Sequence, residues 1–397
     1  MSKEYEGYEV SPELIAELSE KAGRESRRIG RRIARILSIV HRVGEILRDS
    51  PINDARIRRI SGRYDRPITC YAVDSSYRSA LPLVFGDLFI VVGGYVRYPR
   101  ANADTSINRG LKIILRCRTE LTSRIQSAIA RLLERRISLR LLTDKKYSVH
   151  RWNTLIFDGP IVPLWPIILF TSRLYKPERR LVRITKKIIR RSQRRKKTLL
   201  GVIKRIRTHF IGRGILKVAV EEGLISKVSR SVIRTLENTN DKALATLILR
   251  PGEALIIGTY GSSRIIKESL VKAGKWSSFE EFMNNNRWIR NVSTVFLKPK
   301  RSKHVVRLEI LDYNGLGMDN ILSWVNENSS HTACPFVLDI VDRYTSLSSI
   351  IYELARKLMI RRTTESIAAI LRRTDLEKVD LLLELADLQK KYVPTMG

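Results

Sequence analysis

Residues 153–163 read NTLIFDGPIVP. Leu155, Ile156 and Phe157 form a short apolar run that meets a turn signal at Gly159-Pro160, the pattern of a buried β-strand. Asp158 stands at its end. An ionised carboxylate closing an interior strand is costly unless a cation, hydrogen bonds or a metal ion compensates it. The same grammar occurs earlier in ITCYAVDSS, residues 68–76, where Asp74 closes an apolar run and Ser75-Ser76 follow. Two such ends on neighbouring strands would bring like charges together, raise one pKa and favour a divalent cation between them. Carboxylate oxygens suit hard ions such as Mg²⁺ or Mn²⁺, and such ions serve phosphodiester chemistry. The plainer alternative is a pair of aspartates that cap turns.

The charge balance bears on this choice. Among 397 residues, 74 Lys and Arg face 40 Asp and Glu, a formal net charge of +34. A field of that sign and size points to a polyanionic partner, nucleic acid first and an anionic membrane surface second. The membrane reading is the weaker one. The longest apolar run, within residues 160–171, is too short to span a bilayer and holds three prolines. The basic helix described below has no Trp/Phe-rich apolar face. MSKEYEGYEVSPEL, at the start, has no apolar core of a signal peptide. Cys70, Cys117 and Cys334 fit no zinc spacing and suit a reducing compartment. The expectation is a soluble cytoplasmic protein that binds DNA and no membrane. GRGILK (212–217) and GTYGSSR (258–264) lack the spacing of a Walker loop, so ATP hydrolysis is not expected.

Along the chain, Ser11-Pro12-Glu13 opens a long helix to about residue 49, with Leu14, Leu18, Ile29, Ile33, Ile36, Val40 and Val43 at helical spacing. Its other side carries Arg27, Arg28, Arg31, Arg32 and Arg35. Strands are expected at 68–76 and at 88–98, where Gly93-Gly94 signals a bulge or a close backbone approach. An amphipathic helix follows at 118–137, then a polar stretch at 139–152. Residues 173–207 hold sixteen Lys and Arg against one acid, Glu178. Arg183, Lys187, Arg191 and Arg194 lie off the apolar side of a helix there and are candidate phosphate contacts. Further strands are expected at 252–261, 292–299 and 303–313, the last two as a hairpin. The C-terminus reads as helical, from Ser346 to about Arg361 and from Thr364 to Lys391. The division expected is an N-terminal basic helical extension at 1–60 and a single domain at 61–397, with a basic helical insertion at about 173–200.

Several of these segments, taken in order, resemble the NurA nuclease family. YAVDSS resembles its first-strand Asp motif, with Ser75 where Gly is common. LIFDGP resembles its second Asp strand. LLGVIKRIR (199–207) resembles the strand that follows, and STVFLKPKRSKHVVRLEI (293–310) its late hairpin with an Arg-x-Glu pattern, here Arg307 and Glu309. CPFVLDIVDRY (334–344) resembles its Pro-aromatic segment that leads into a helix. The resemblance covers roughly residues 68–355. It implies an α/β, ribonuclease-H-like fold: a mixed central sheet flanked by helices, here with a long N-terminal helix and a helical C-terminus.

It also implies a Mn²⁺- or Mg²⁺-dependent deoxyribonuclease that resects DNA ends 5′ to 3′, cuts single strands, and works as a homodimer on a hexameric HerA-type ATPase. By position, Asp74 and Asp158 would be the metal-binding and catalytic carboxylates on the strands. Glu120 would be the third acid; Glu134, further along the same helix, is the other candidate, although its place between Arg131 and Arg135 suits an exposed ion pair. The late segment usually presents a His, and its place is taken by Asp342, with Asp339 as the other candidate. Lys204 and Arg205 could neutralise the scissile phosphate. Tyr71 and Tyr77, beside Asp74, could stack on a base, or could be ordinary core and surface aromatics. The rival functions are a catalytically degenerate single-strand nucleic-acid binder and a motor adaptor, either of which would bind nucleic acid without regard to divalent metal.

Overall fold

The structure is a computed structural model. It describes residues 12–77, 81–83, 86–99, 112–118, 123–148, 151–163, 176–225 and 228–346, with scattered positions between 353 and 365. The first helix, α1 (Pro12–Asp49), precedes a short strand, β1 (Arg56–Arg59). A run of strands follows: β2 (Cys70–Tyr77), β3 (Leu81–Leu83), β4 (Gly86–Tyr98) and β5 (Lys112–Arg118). Then come α2 (Ser123–Thr143), α3 (Lys145–Ser148), β6 (Thr154–Asp158), α4 (Lys176–Arg194) and β7 (Thr198–Ile203).

A π-helical turn, Phe210–Ile215, leads into α5 (Leu216–Glu221), α6 (Arg230–Asn238) and α7 (Asp241–Ile248). The chain continues through β8 (Glu253–Thr259), α8 (Arg264–Lys272), α9 (Trp276–Asn285), β9 (Ser293–Lys298) and β10 (Val306–Leu311). Two helices, α10 (Met318–Glu327) and α11 (Phe336–Thr345), complete the ordered series.

One mixed sheet holds all ten strands found among the described residues. β2, β4 and β5 form an antiparallel meander; β6 then returns parallel to β2, and β7 parallel to β6. The spatial order β5-β4-β2-β6-β7, with only the second strand of the series antiparallel to the rest of its core, is the ribonuclease-H-like arrangement. β10, β9, β8 and β1 extend the sheet beyond β7 by antiparallel pairing. The basic stretch expected as an inserted helix is α4, and it serves as the crossover that a parallel β6–β7 pair requires.

Alternation along the strands separates two cores. Tyr71, Val73, Leu155, Phe157 and Leu199 face a large core shared with α1, α2, α4 and the helices after β7. Cys70, Ala72, Ile156, Leu200 and Val202 face the core under α10 and α11. Burial on both faces explains why β6 and β7 read as unbroken apolar runs. The glycine pair in β4 is a close approach on each face in turn. A Cβ on Gly93 would lie 2.8 Å from the Leu133 side chain of α2, and one on Gly94 would lie 3.0 Å from Thr345 Cγ2 of α11. Both helices therefore sit close upon the strand that pairs with β2.

Two expectations change. The stretch 139–152 is not a polar connection: α2 runs on to Thr143, burying Leu141 and Leu142. β1, with the sequence RIRR, is too charged to read as a strand, yet as an edge strand it buries only Ile57. Most of the helical C-terminus expected beyond Ser346 lies outside the described residues. Among the described residues no helix is long and apolar enough to cross a membrane.

Candidate active site

Three parallel strands, β2, β6 and β7, end together, and their carboxyl ends are where an open α/β sheet places its ligand sites. Asp74 is near the end of β2 and Asp158 is the last residue of β6. Both follow the alternation that points toward α11. The turn after Asp158 uses Gly159 at φ 129°, a conformation that side chains resist, with open space around it. Backbone then anchors this turn: Gly159 N donates to Val202 O at 2.8 Å and Val162 N to Glu309 Oε2 at 3.0 Å. Arg135, buried over the Phe157 ring, donates to Pro160 O at 2.5 Å. Asp158 is thus aimed by a rigid turn.

Asp74 is 4% exposed. It accepts from its neighbour's backbone, Ser75 N, at 2.7 Å and from Thr345 Oγ1 of α11 at 3.4 Å. Burial pushes its pKa up to about 9, and repulsion from Asp158, Glu134 and Asp342 adds to the rise. Asp158 is raised in the same direction by burial, against the pull of Lys204, whose Nζ lies 3.0 Å from Oδ2. Lys204 is raised in turn by Asp158 against the opposing effect of its own burial. Among the described residues, the cation in direct contact with this pair of strand-end acids therefore sits on Asp158, and none pairs with Asp74.

Glu134 enters from the opposite side of the sheet. It is buried on α2 and accepts from Ser75 Oγ at 2.8 Å. Burial raises its pKa to about 7, while Arg135 and the Ser75 hydroxyl hold it back and Asp158 raises it. The expectation that Glu134 forms an exposed ion pair with its arginine neighbours is corrected here: Glu134 and Arg135 are both buried. The readable signal was that Glu134 shares a helical line with Ala130, Ile137 and Leu141, four residues before and three and seven after it. Glu120, the other candidate, lies outside the described residues.

Asp342 is exposed on α11, close enough to raise the pKa of both Asp74 and Asp158. Asp339 is turned to other work: it accepts from Ser330 Oγ at 2.5 Å and Thr332 Oγ1 at 3.2 Å, bracing the turn before α11. Tyr71 is fully buried among Tyr95, Tyr147 and Trp152, in edge-on contacts of 5.3–6.1 Å, so it cannot stack on a base. Tyr77 is 37% exposed and packs edge-on against Phe89.

Arg205 is exposed beside Lys204. Arg183, Lys187, Arg191 and Arg194 are exposed along α4. Because α4 runs antiparallel to β6 and β7, its N-terminal end is level with the carboxylates and Arg194 is near the far end of the strands. The lone acid of that segment, Glu178, is buried against Arg124 at 2.7 and 2.8 Å and does not neutralise the stripe.

Oxygen donors from four elements, crowded, mutually repelling and short of cations, have the chemistry of a hard divalent ion's ligands. As they stand, no three His, Cys, Asp or Glu side chains among the described residues form a group that could hold such an ion. The donor types fit; one of the candidate donors, Asp158, is occupied by Lys204.

No protein-family model and no curated protein matches the chain. Among solved structures it is similar to the NurA nuclease from Sulfolobus solfataricus, at 12% identity over 90% of this chain and 98% of that one, with a TM-score of 0.48. A NurA structure with manganese is 12% identical over 87% of this chain and 99% of that one, TM-score 0.43. A Ciona intestinalis endonuclease V in complex with DNA is 11% identical over 80% and 95%, TM-score 0.31.

Proposed function

We propose that the chain is a divalent-metal-dependent nuclease acting on DNA. The observation that carries the reading is Asp74: a buried carboxylate that no cation among the described residues pairs with, facing three further acids at the open end of parallel strands. A fold gains no stability from such a group. Asp74 and Asp158 would hold Mn²⁺ or Mg²⁺, with Glu134 as the third acid and Asp342 in the position where the resembling family carries His. A bound divalent ion supplies a Lewis acid for the phosphoryl oxygen and lowers the pKa of a bound water. Ser75 holds Glu134 in place by its hydroxyl. Lys204 neutralises Asp158 until a phosphate or an ion claims either partner, and Arg205 beside it offers a second positive charge to the scissile phosphate. Arg183, Lys187, Arg191 and Arg194 contact the strand backbone without reading its sequence.

The motif resemblance supports a finer form of this proposal. In it the enzyme is a 5′–3′ exonuclease and single-strand endonuclease in DNA end resection, a homodimer docked on a hexameric HerA-type ATPase. The test is cleavage of end-labelled single-stranded and duplex DNA with Mn²⁺, Mg²⁺ or EDTA, in wild type and Asp158→Ala. The expected result is metal-dependent cutting that falls about 10²-fold or more in the variant, with DNA still bound. Binding without cutting under every metal, with the ATPase added, would favour the degenerate binder instead.

A further inference from the structure

We propose that a groove between α1 and α6 is a second nucleic-acid backbone site, remote from the carboxylates; this rests on the nucleic-acid reading above. The groove has a volume of about 490 Å³ and is lined by Arg24, Arg27, Arg28, Arg31, Arg35, Ser231 and Val232. The five arginines fall at helical spacing on one side of α1 and are all exposed. Arg24 pairs with Glu20 at 3.0 Å and Arg28 with Glu25 at 3.4 Å. Among the described residues no carboxylate pairs with Arg27, Arg31 or Arg35.

These three are four residues apart in succession, so each neighbouring pair is a like-charge contact that costs the helix a few tenths of a kcal/mol. Their arrangement is unfavourable until an anion enters. The row from Arg24 to Arg35 is about 16 Å long at 1.5 Å per residue. That length takes about five phosphates of one strand at a rise of about 3.4 Å.

Position favours a long polyanion over a small one. α1 packs on β1, at the sheet edge, and β1 is five strands from β6 in the order β1-β8-β9-β10-β7-β6. At about 4.8 Å per strand, β1 lies roughly 24 Å across the sheet from β6, and the groove is on the exposed part of α1 that precedes Val40, where the helix becomes buried. α1 and α4 pack on the same face of the sheet: Val40, Val43 and Leu47 share one core with Ile188 and Ile189. A single phosphate would engage one of these basic helices. A nucleic-acid strand can engage both and still present a bond to the carboxylates.

The experiment uses the full chain in EDTA, with fluorescence anisotropy of a labelled 40-nucleotide strand across a salt series. Wild type is compared with the triple variant Arg27→Ala, Arg31→Ala, Arg35→Ala. A control variant, Arg63→Ala, Arg301→Ala, Lys303→Ala, removes the same number of exposed charges elsewhere. The α1 variant is expected to bind about tenfold more weakly, with the slope of log K against log salt reduced by about 2, three contacts at about 0.7 each. The control should change neither as much. Equal losses in the two variants, or none in the α1 variant, would overturn the proposal, as would α1-dependent binding to anionic vesicles with none to DNA. Cleavage assays on the same proteins separate the two readings. A chain that binds through α1 but never cuts keeps the groove and loses the nuclease. A chain that cuts, with its binding untouched in the α1 variant, does the reverse.

Discussion

Glu309 and Asp74 are both buried carboxylates in the same sheet, and they are treated in opposite ways. Glu309 on β10 is fully buried and fully partnered: Arg307 Nη2 donates at 3.1 Å, the Tyr260 hydroxyl at 2.8 Å and the Val162 backbone at 3.0 Å. Asp74 on β2 receives one backbone hydrogen bond from its own neighbour, one long hydroxyl contact and three repelling acids. The fold can provide an arginine to an interior acid, as it does again for Glu178. Where it provides none, stability is not what placed the acid there.

Breaking the partnered acid should have the largest effect. Glu309→Ala takes from buried Arg307 the carboxylate it donates to, leaving it the Thr208 hydroxyl at 3.3 Å, and frees Val162, so unfolding in urea should show a loss of about 3–5 kcal/mol. Next is Gly93→Ala, which presses a methyl against Leu133 and should cost about 1–3 kcal/mol by the same measurement. Both variants should also lower activity, Glu309→Ala by loosening the turn behind Asp158 and Gly93→Ala by shifting α2 and Glu134.

Asp74→Asn should move the other way. An acid whose folded pKa is raised from 3.8 to about 9 binds its proton more tightly when folded. Wild-type stability must then fall as pH rises between those values, and below about 4 the group contributes nothing. The variant, without the titration, should gain on wild type progressively from pH 4 to pH 9 while losing cleavage. A variant that is less stable than wild type at pH 8 would mean that Asp74 is a structural acid after all. The smallest change should come from Ser75→Ala, which removes one hydroxyl from Glu134 and should cost about 1 kcal/mol.

Much of the site was legible because strand ends are local. Asp74 and Asp158 each follow an apolar run and precede small or turn-forming residues, and that pattern needs no knowledge of the rest of the chain. Glu134 was harder. Its arginine neighbours in sequence, Arg131 and Arg135, suggest a solvated helix face, but of the four residues three and four positions away only Arg131 is charged, and Ala130, Ile137 and Ser138 are ones a helix buries. The role of Arg307 and Glu309 depends on a turn 147 residues earlier in the chain, a partnership no short window contains. The helices between residues 210 and 285 are short and were not anticipated, because runs of six to ten residues barely complete the period that would reveal them. A mixed central sheet is expected from the motif sequence, but its strand order comes from the structure, and its extension to β1 rests on four residues of which three are arginine.

Gly93 and Gly94 give experimental access to the two halves of the carboxylate cluster separately. They are adjacent in one strand, yet they answer to different helices, because successive residues of a strand face opposite ways. Gly93 meets the helix that carries Glu134, and Gly94 the helix that carries Asp342. A methyl group at either position acts as a shim under one helix alone. A ladder of graded replacements, alanine and then serine or valine, would lift one wall of the site by tenths of an ångström while leaving every acid in the sequence. Distance and chemistry, which are changed together whenever a carboxylate is mutated, can then be varied one at a time.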